Sequence, residues 1–455
     1  MTIQILIQFA QTHPDFRISE LLSVAKTYSF DIILPPTTPD VTRPFMTVEV
    51  REEKHAHLLA QRCILVKFVA ISVHEFYASA SSYAALHAFN RRQSHLWAPY
   101  THTSWKIMVT GYNQSVPKAR QREVVNSFSY MALQGRIDLT QPNLELWCFE
   151  EYGPRGKEAL LSKHEGDGEF ICVWFGRLIA KGTARALIQK FNVKKRAYYG
   201  NTSMDAEMSL LMANQTLCAP GKFVYDPFAG TGSMLYTTAQ FGAFTVGSDI
   251  DGRQMRGKER TPGVLRSASQ YGFAERILDL CTFDVTRNPW RCGGLFDAIV
   301  TDPPYGVRAG AKRIGRKQGV PMRDSITAMK DPLTYVPPTQ PYELSTLAFD
   351  LLLLARFLLK PQGRLVFFLP TVNEEYAEVD VPQLEGMELI SNSLENFGAW
   401  GRRLITIVKT EMKEREPPDL CMRREVIHEH VPAHRDFREK YFAGFNKSEA
   451  AETSF

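Results

Sequence analysis

No stretch of this 455-residue chain is apolar for long enough to cross a membrane. Its most hydrophobic run, "DLLLLARFLLK", is broken by Arg356 and falls far short of the roughly twenty uncharged residues that a spanning helix needs. No CxxC pair occurs among its seven cysteines, at 63, 148, 172, 218, 281, 292 and 421. That scatter speaks against a disulfide framework and against a zinc site built within the chain, and for a reducing, cytoplasmic compartment. The N-terminal "MTIQILIQFAQTHPDF" lacks a basic leader and a small-residue cleavage site, so it reads as a folded strand rather than a secretory signal. Charge of one sign is also scarce in excess: 54 basic against 49 acidic residues leave +5. That balance permits nucleic-acid binding without requiring it.

What is present is an ordinary core-forming composition, 44% hydrophobic, on a chain long enough for two or three domains. Up to about residue 190, short strand-like runs such as "IQILIQFA", "SWKIMVTGY" and "FICVWFGRLIA" alternate with helical patterns, an α+β rhythm. A polar break near residue 90 divides this region into lobes at 1–85 and 86–190. The aromatics of "WKIMVTGY" and "LELWCFEEY" suit core strand faces. From 191 to 420 buried strands alternate with helices and Gly-rich turns, which predicts a parallel, doubly wound α/β sheet. Residues 421–455 form a tail.

In "FVYDPFAGTG" a strand ends at Asp226 and Pro227, and Gly230 with Gly232 permit a tight turn whose backbone N–H groups approach a ligand. The spacing is not GxGxxG and no Walker lysine follows, which disfavours a dinucleotide or an NTP. The next strand ends in "GSDID", placing Asp249, or alternatively Asp251, to accept hydrogen bonds from ribose hydroxyls. A third, "CTFDV", offers Asp284 to an adenine amine. A lone Asp at a strand end is as readily a helix cap; three in order describe a pocket for adenosine without phosphate, and S-adenosylmethionine fits it.

The fourth strand stops at "TDPPYG". Pro303 and Pro304 fix φ and remove two backbone donors, so the turn's carbonyls and the Asp302 carboxylate form a cluster of acceptors. Acceptors without donors suit an exocyclic amine on a base. Hydrogen bonds from its protons to Asp302 and to the Pro303 carbonyl free the nitrogen lone pair for attack on a methyl group, while Tyr305 stacks on the base.

These motifs, with "YYGNTSMDAEMSLLMANQTL" ahead of them, resemble the class I amino-methyltransferases of the circularly ordered type. More narrowly, "GRIDLTQPNLELW", "FGRLIA" and "KKRAYYGNTSMDAEMSLLMAN" are similar to the THUMP-domain tRNA guanosine-10 N2-methyltransferases of eukaryotic type. The resemblance implies a ferredoxin-like lobe followed by a THUMP domain, which together grip tRNA by its acceptor end. It implies a small zinc-binding activator subunit in a heterodimer, and the same roles for Asp226, Gly230, Gly232, Asp249, Asp284, Asp302 and Tyr305. The strand in "ERILDLCTF" is expected at a sheet edge, exposed to such a partner.

Other features stay open. Basic residues at 308, 312, 313, 316, 317, 323 and 330 describe either a phosphate-tracking loop over 307–330 or a solvated one. Lys194, Lys195 and Arg196 read either as a solvated linker or as an RNA contact. The spacing of His428, His430 and His434 does not make a metal site. The rival functions are an adenine N6-methyltransferase on RNA or DNA, and a tRNA-binding scaffold with a vestigial catalytic fold.

Overall fold

The computed structural model describes residues 2–36, 40, 43–71, 81–153, 169–306, 310–315, 338–412, 416–420, 432–435 and 437–442. The chain divides into two compact units: Met1–Arg17 with Val24–Arg185, and Ile18–Ser23 with Ala186–Phe455. Among the described residues no helix is long and apolar enough to cross a membrane.

The first unit is built on a six-stranded sheet. Its strands are β1 (Ile3–Phe9), β2 (Phe45–Val50), β3 (Val66–Ile71), β4 (Trp105–Tyr112), β5 (Leu144–Tyr152) and β6 (Phe170–Lys181), in the order β2-β1-β3-β6-β5-β4. The first three strands fall within residues 1–85 and the last three within 86–190, and antiparallel pairing of β3 with β6 joins them into one sheet. Of the strand aromatics, Trp147 and Phe149 are buried and pack with Phe45, whereas Trp105, Tyr112 and Tyr152 are half-buried. On the other side Phe128 stacks on Phe175 at 4.4 Å between centroids. Buried Glu150 accepts hydrogen bonds from the Tyr83 and Tyr152 hydroxyls, each at 2.6 Å, so a polar group is held inside by directed donors.

The second unit carries β7 (Phe223–Asp226), β8 (Phe244–Asp249), β9 (Ile277–Thr282), β10 (Phe296–Thr301), a short hairpin of β11 (Lys312–Ile314) and β12 (Thr339–Pro341), then β13 (Leu359–Val372), β14 (Met387–Asn396) and β15 (Trp400–Lys409). The main sheet runs β14-β15-β13-β10-β7-β8-β9. It is doubly wound but not wholly parallel: β15 is antiparallel to both β13 and β14. The departure comes from β14, whose polar "MELISNSLEN" hides its strand character. As an edge strand it buries little and needs no apolar alternation. In the centre, Ala298, Ile299 and Val300 of β10 are completely buried. The helix Leu344–Leu358 packs its leucine-rich face in one cluster with Ile299, its first turn capped by Glu343, which accepts from the Ser345 and Thr346 N–H groups.

Among the described residues β9 lies at one edge of the sheet, paired with β8. Ile277 is buried there while Leu278 is 48% exposed.

Candidate active site

The strand order reverses between β7 and β10, which neighbour each other although two strands separate them in sequence. Ligands of open α/β sheets lie beyond the carboxyl ends of strands at such a point. The Thr301 hydroxyl, last in β10, donates to Asp226 Oδ1, last in β7, at 2.7 Å. The two motifs are thereby tied together at adjoining strand ends.

The glycine turn after β7 is held from two sides. Ala229 N–H donates to the Ser248 carbonyl at 2.8 Å, and Gly230 N–H donates to Asp249 Oδ2 at 2.9 Å. Gly232 has φ +85°, and a Cβ there would lie 2.8 Å from the Tyr236 hydroxyl, so both conformation and space require glycine. Beside Gly230 there is room: an added Cβ would meet nothing nearer than Thr202 Oγ1 at 3.6 Å. Pro227 is buried under this turn.

The four acids differ in surroundings. Asp226 is 2% exposed, and burial, opposed by the bonds from Thr301 and Phe228 but reinforced by the nearby Asp249 and Asp302 carboxylates, pushes its pKa up to about 7. Asp249 is also raised, chiefly by burial, against the stabilising N–H groups of Asp251 and Gly230. Asp251 is drawn down by Arg253, which grips it with Nε at 2.7 Å and Nη2 at 2.8 Å, and Asp251 also caps the helix Gly252–Arg256. Asp284 is buried; its Oδ1 accepts from the Thr286 N–H and hydroxyl, each at 2.9 Å, and its Oδ2 from Ile314 N–H of β11.

Asp226 carries a pH dependence whose sign follows from protons held. Below about pH 4 the carboxyl is protonated folded or unfolded, and above about 7 in neither state. Between these limits the folded chain binds one proton more, so stability falls as pH rises, by up to about 1.4 kcal/mol per unit. Asp226→Asn removes that proton. In thermal melts without cofactor, the variant's midpoint is expected to gain on the wild type from pH 5 to pH 8. A difference that stays flat with pH contradicts the raised pKa.

Several residues at the site carry no sequence signal. Arg402 of β15 sits over the Phe368 ring at 4.3 Å, pairs through Nε with Glu395, and places Nη1 3.9 Å from Asp302 Oδ2. It arrives from a strand about a hundred residues downstream, antiparallel to its neighbours, so no local spacing reveals it. Arg196 is neither a solvated linker residue nor an RNA contact. It is buried, donating to Ser233 Oγ at 2.9 Å and the Tyr271 hydroxyl at 3.2 Å, over the Tyr236 ring. It braces the helix that follows the glycine turn, while Lys194 and Lys195 are exposed.

Of the basic segment 307–330, the described part comprises 310–315, where Lys312 and Arg313 lie on β11; the remainder is outside the described residues. His428 and His430 are likewise outside them, and His434 is buried. Among the described residues no group of His, Cys, Asp and Glu is arranged to hold a metal ion.

Residues 3–184 match the Tmrp11 THUMP N-terminal domain model, and residues 194–318 the RMKL-like methyltransferase domain model. The chain is 35% identical to a tRNA (guanine(10)-N(2))-methyltransferase of Schizosaccharomyces pombe, over 93% of this chain and 85% of that protein. It is 33% identical to the Saccharomyces cerevisiae protein of the same name, over 97% and 99%. Among solved structures, TrmN from Thermus thermophilus aligns with 89% of this chain and 99% of its own, at 15% identity and a TM-score of 0.41.

Proposed function

Because the chain belongs to the tRNA (guanine(10)-N2)-methyltransferase family, we propose that its β7–β10 cleft methylates the exocyclic N2 of guanosine 10 in tRNA, with S-adenosylmethionine as donor. The observation that carries the reading is the Thr301–Asp226 bond, which sets the Asp302-Pro303-Pro304-Tyr305 acceptors beside the glycine turn.

The residues present suit this donor. After its two backbone bonds each Asp249 oxygen keeps a lone pair for a ribose hydroxyl, whereas Asp251 is occupied by Arg253; Asp249 is therefore the assigned ribose ligand. Asp284 retains acceptor capacity on Oδ2 beside its bond from Ile314, enough for an adenine amine. Asp226, Pro227, Gly230 and Gly232 shape the turn against which the donor lies. When bound, the donor supplies an electrophilic sulfonium methyl. Asp302 and the Pro303 carbonyl accept the two protons of the guanine amine and localise the lone pair on N2. Tyr305 stacks on the extruded base. Arg402 places Nη1 3.9 Å from Asp302 Oδ2, and the Asp302 carboxylate takes the proton that N2 sheds on methylation.

The first unit would grip the tRNA. The partner we assign is a small zinc-binding activator subunit, seated on the open edge of β9, where Leu278 is exposed and backbone groups can be paired by an added strand. The six described cysteines form no disulfide with one another, and we place the enzyme in the cytoplasm.

Labelled-methyl transfer to tRNA transcripts tests both parts. A transcript with guanosine at position 10 is expected to accept methyl and one with inosine there, which lacks N2, to accept none; methylation of adenosine at that position would favour the N6 alternative. The chain expressed alone is expected to be poorly soluble or inactive, co-expression with the activator to rescue it, and Leu278→Glu to break the complex. A monodisperse, fully active preparation of the chain alone would refute the partner assignment.

A further inference from the structure

Residues 421–455 read in sequence as a tail, yet within the second unit the described residues 432–435 and 437–442 lie against the acceptor motif. Pro432, Ala433, His434 and Phe437 are buried, and Phe437 is only 2% exposed. Ala433 N–H donates to the buried Asp380 carboxylate at 3.1 Å, and Lys440 pairs with Glu375. Between these anchors Phe437 packs against Trp400 at 5.7 Å and Tyr305 at 6.2 Å with the planes at 79°. The backbone beside Tyr305 is approached as closely: Gly306 has φ +98°, and a Cβ there would sit 3.0 Å from Arg438 Cβ.

The prolines restrict the backbone before Tyr305 but not its χ angles. A ring that stacks on a base must be held in one orientation, because every misdirected rotamer lowers the population of reactive geometry. An edge-to-face neighbour with little exposure supplies that restraint. Phe437 is itself held in a cluster with Trp400 and Tyr441, the latter ring 5.9 Å away.

We propose that Phe437 is a positioning residue for Tyr305, so that residues 437–442, anchored by 432–435, complete the wall of the base pocket. The proposal rests on the reading that Tyr305 stacks on the target base. Nothing near the motif in sequence could show it, since more than 130 positions separate the two rings.

The test is a double-mutant cycle in the full-length protein, co-expressed with its partner if it needs one, using a tRNA transcript with guanosine at position 10. Phe437→Leu keeps apolar volume and a seated segment, so its melting midpoint is expected to stay close to the wild type. Its kcat/KM for tRNA is expected to fall roughly three- to tenfold, the size of an edge-to-face pair, with S-adenosylmethionine affinity within twofold. Phe437→Tyr restores the ring and the rate. Tyr305→Ala is slower still, and Tyr305→Ala with Phe437→Leu is no slower than Tyr305→Ala alone, because Phe437 acts only through Tyr305. Losses that multiply, a Phe437→Leu enzyme at full rate, or a Phe437→Tyr enzyme as slow as Phe437→Leu would overturn the proposal. Full activity of Tyr305→Ala would remove the stacking reading itself, and the positioning role with it.

Discussion

Replacing Asp302 by alanine is expected to lower the single-turnover methylation rate by at least about 10³-fold, since it deletes the acceptor whose bond strengthens as the amine gives up its lone pair. Affinities for S-adenosylmethionine and for tRNA should stay within a few fold. The asymmetry follows from position: Asp302 lies past the end of β10, whereas the glycine turn and Asp249 belong to the two strands on the other side of the switch point. Rapid quench with labelled donor gives the rate and equilibrium titration the affinities. A mutant that keeps substantial turnover would show that the acceptor model is wrong. One that loses donor affinity in proportion to rate would show that Asp302 acts on the cofactor instead.

The second large effect concerns Asp249. Its carboxylate bridges Gly230 N–H and Asp251 N–H at 2.9 and 2.8 Å, so Asp249→Ala releases the glycine turn and deletes the ribose acceptor together. Loss of charge-assisted bonds of this kind, at roughly 1.5–3 kcal/mol each, is expected to weaken S-adenosylmethionine binding by about 100-fold or more. Asp251→Ala should cost only a few fold, since its partner is the exposed Arg253. Isothermal titration of the two variants decides between them: a larger loss for Asp251→Ala would transfer the ribose role to it.

The sites that were legible in sequence are the ones built from contiguous residues at strand ends. "DPFAGTG" and "TDPPYG" each spell out a strand, a turn and its polar groups, because turn chemistry is local. The position of β9 at an edge is legible for a different reason, the order of strands about a switch point. What stayed hidden depends on tertiary pairing. β14 is a polar edge strand, and its pairing with β15 reverses one strand in a sheet that the buried apolar runs describe as parallel. Arg402 and Phe437 reach the site from β15 and from the C-terminal segment through packing that no spacing encodes. Arg196 shows the opposite failure: a basic cluster reads as surface, yet two hydroxyls and a ring make a buried guanidinium tolerable. Its neighbours Lys194 and Lys195 behave as the composition suggests.

The central claim is that this cleft moves a methyl group to N2 of one guanosine. Its most direct test is mass spectrometry of ribonuclease fragments of tRNA from cells lacking the chain and from the same cells complemented with it. N2-methylguanosine is expected to disappear from position 10, to return with the wild-type chain and not with Asp302→Ala. Undiminished N2-methylguanosine at position 10 in the deleted cells, or its restoration by Asp302→Ala, would contradict the account.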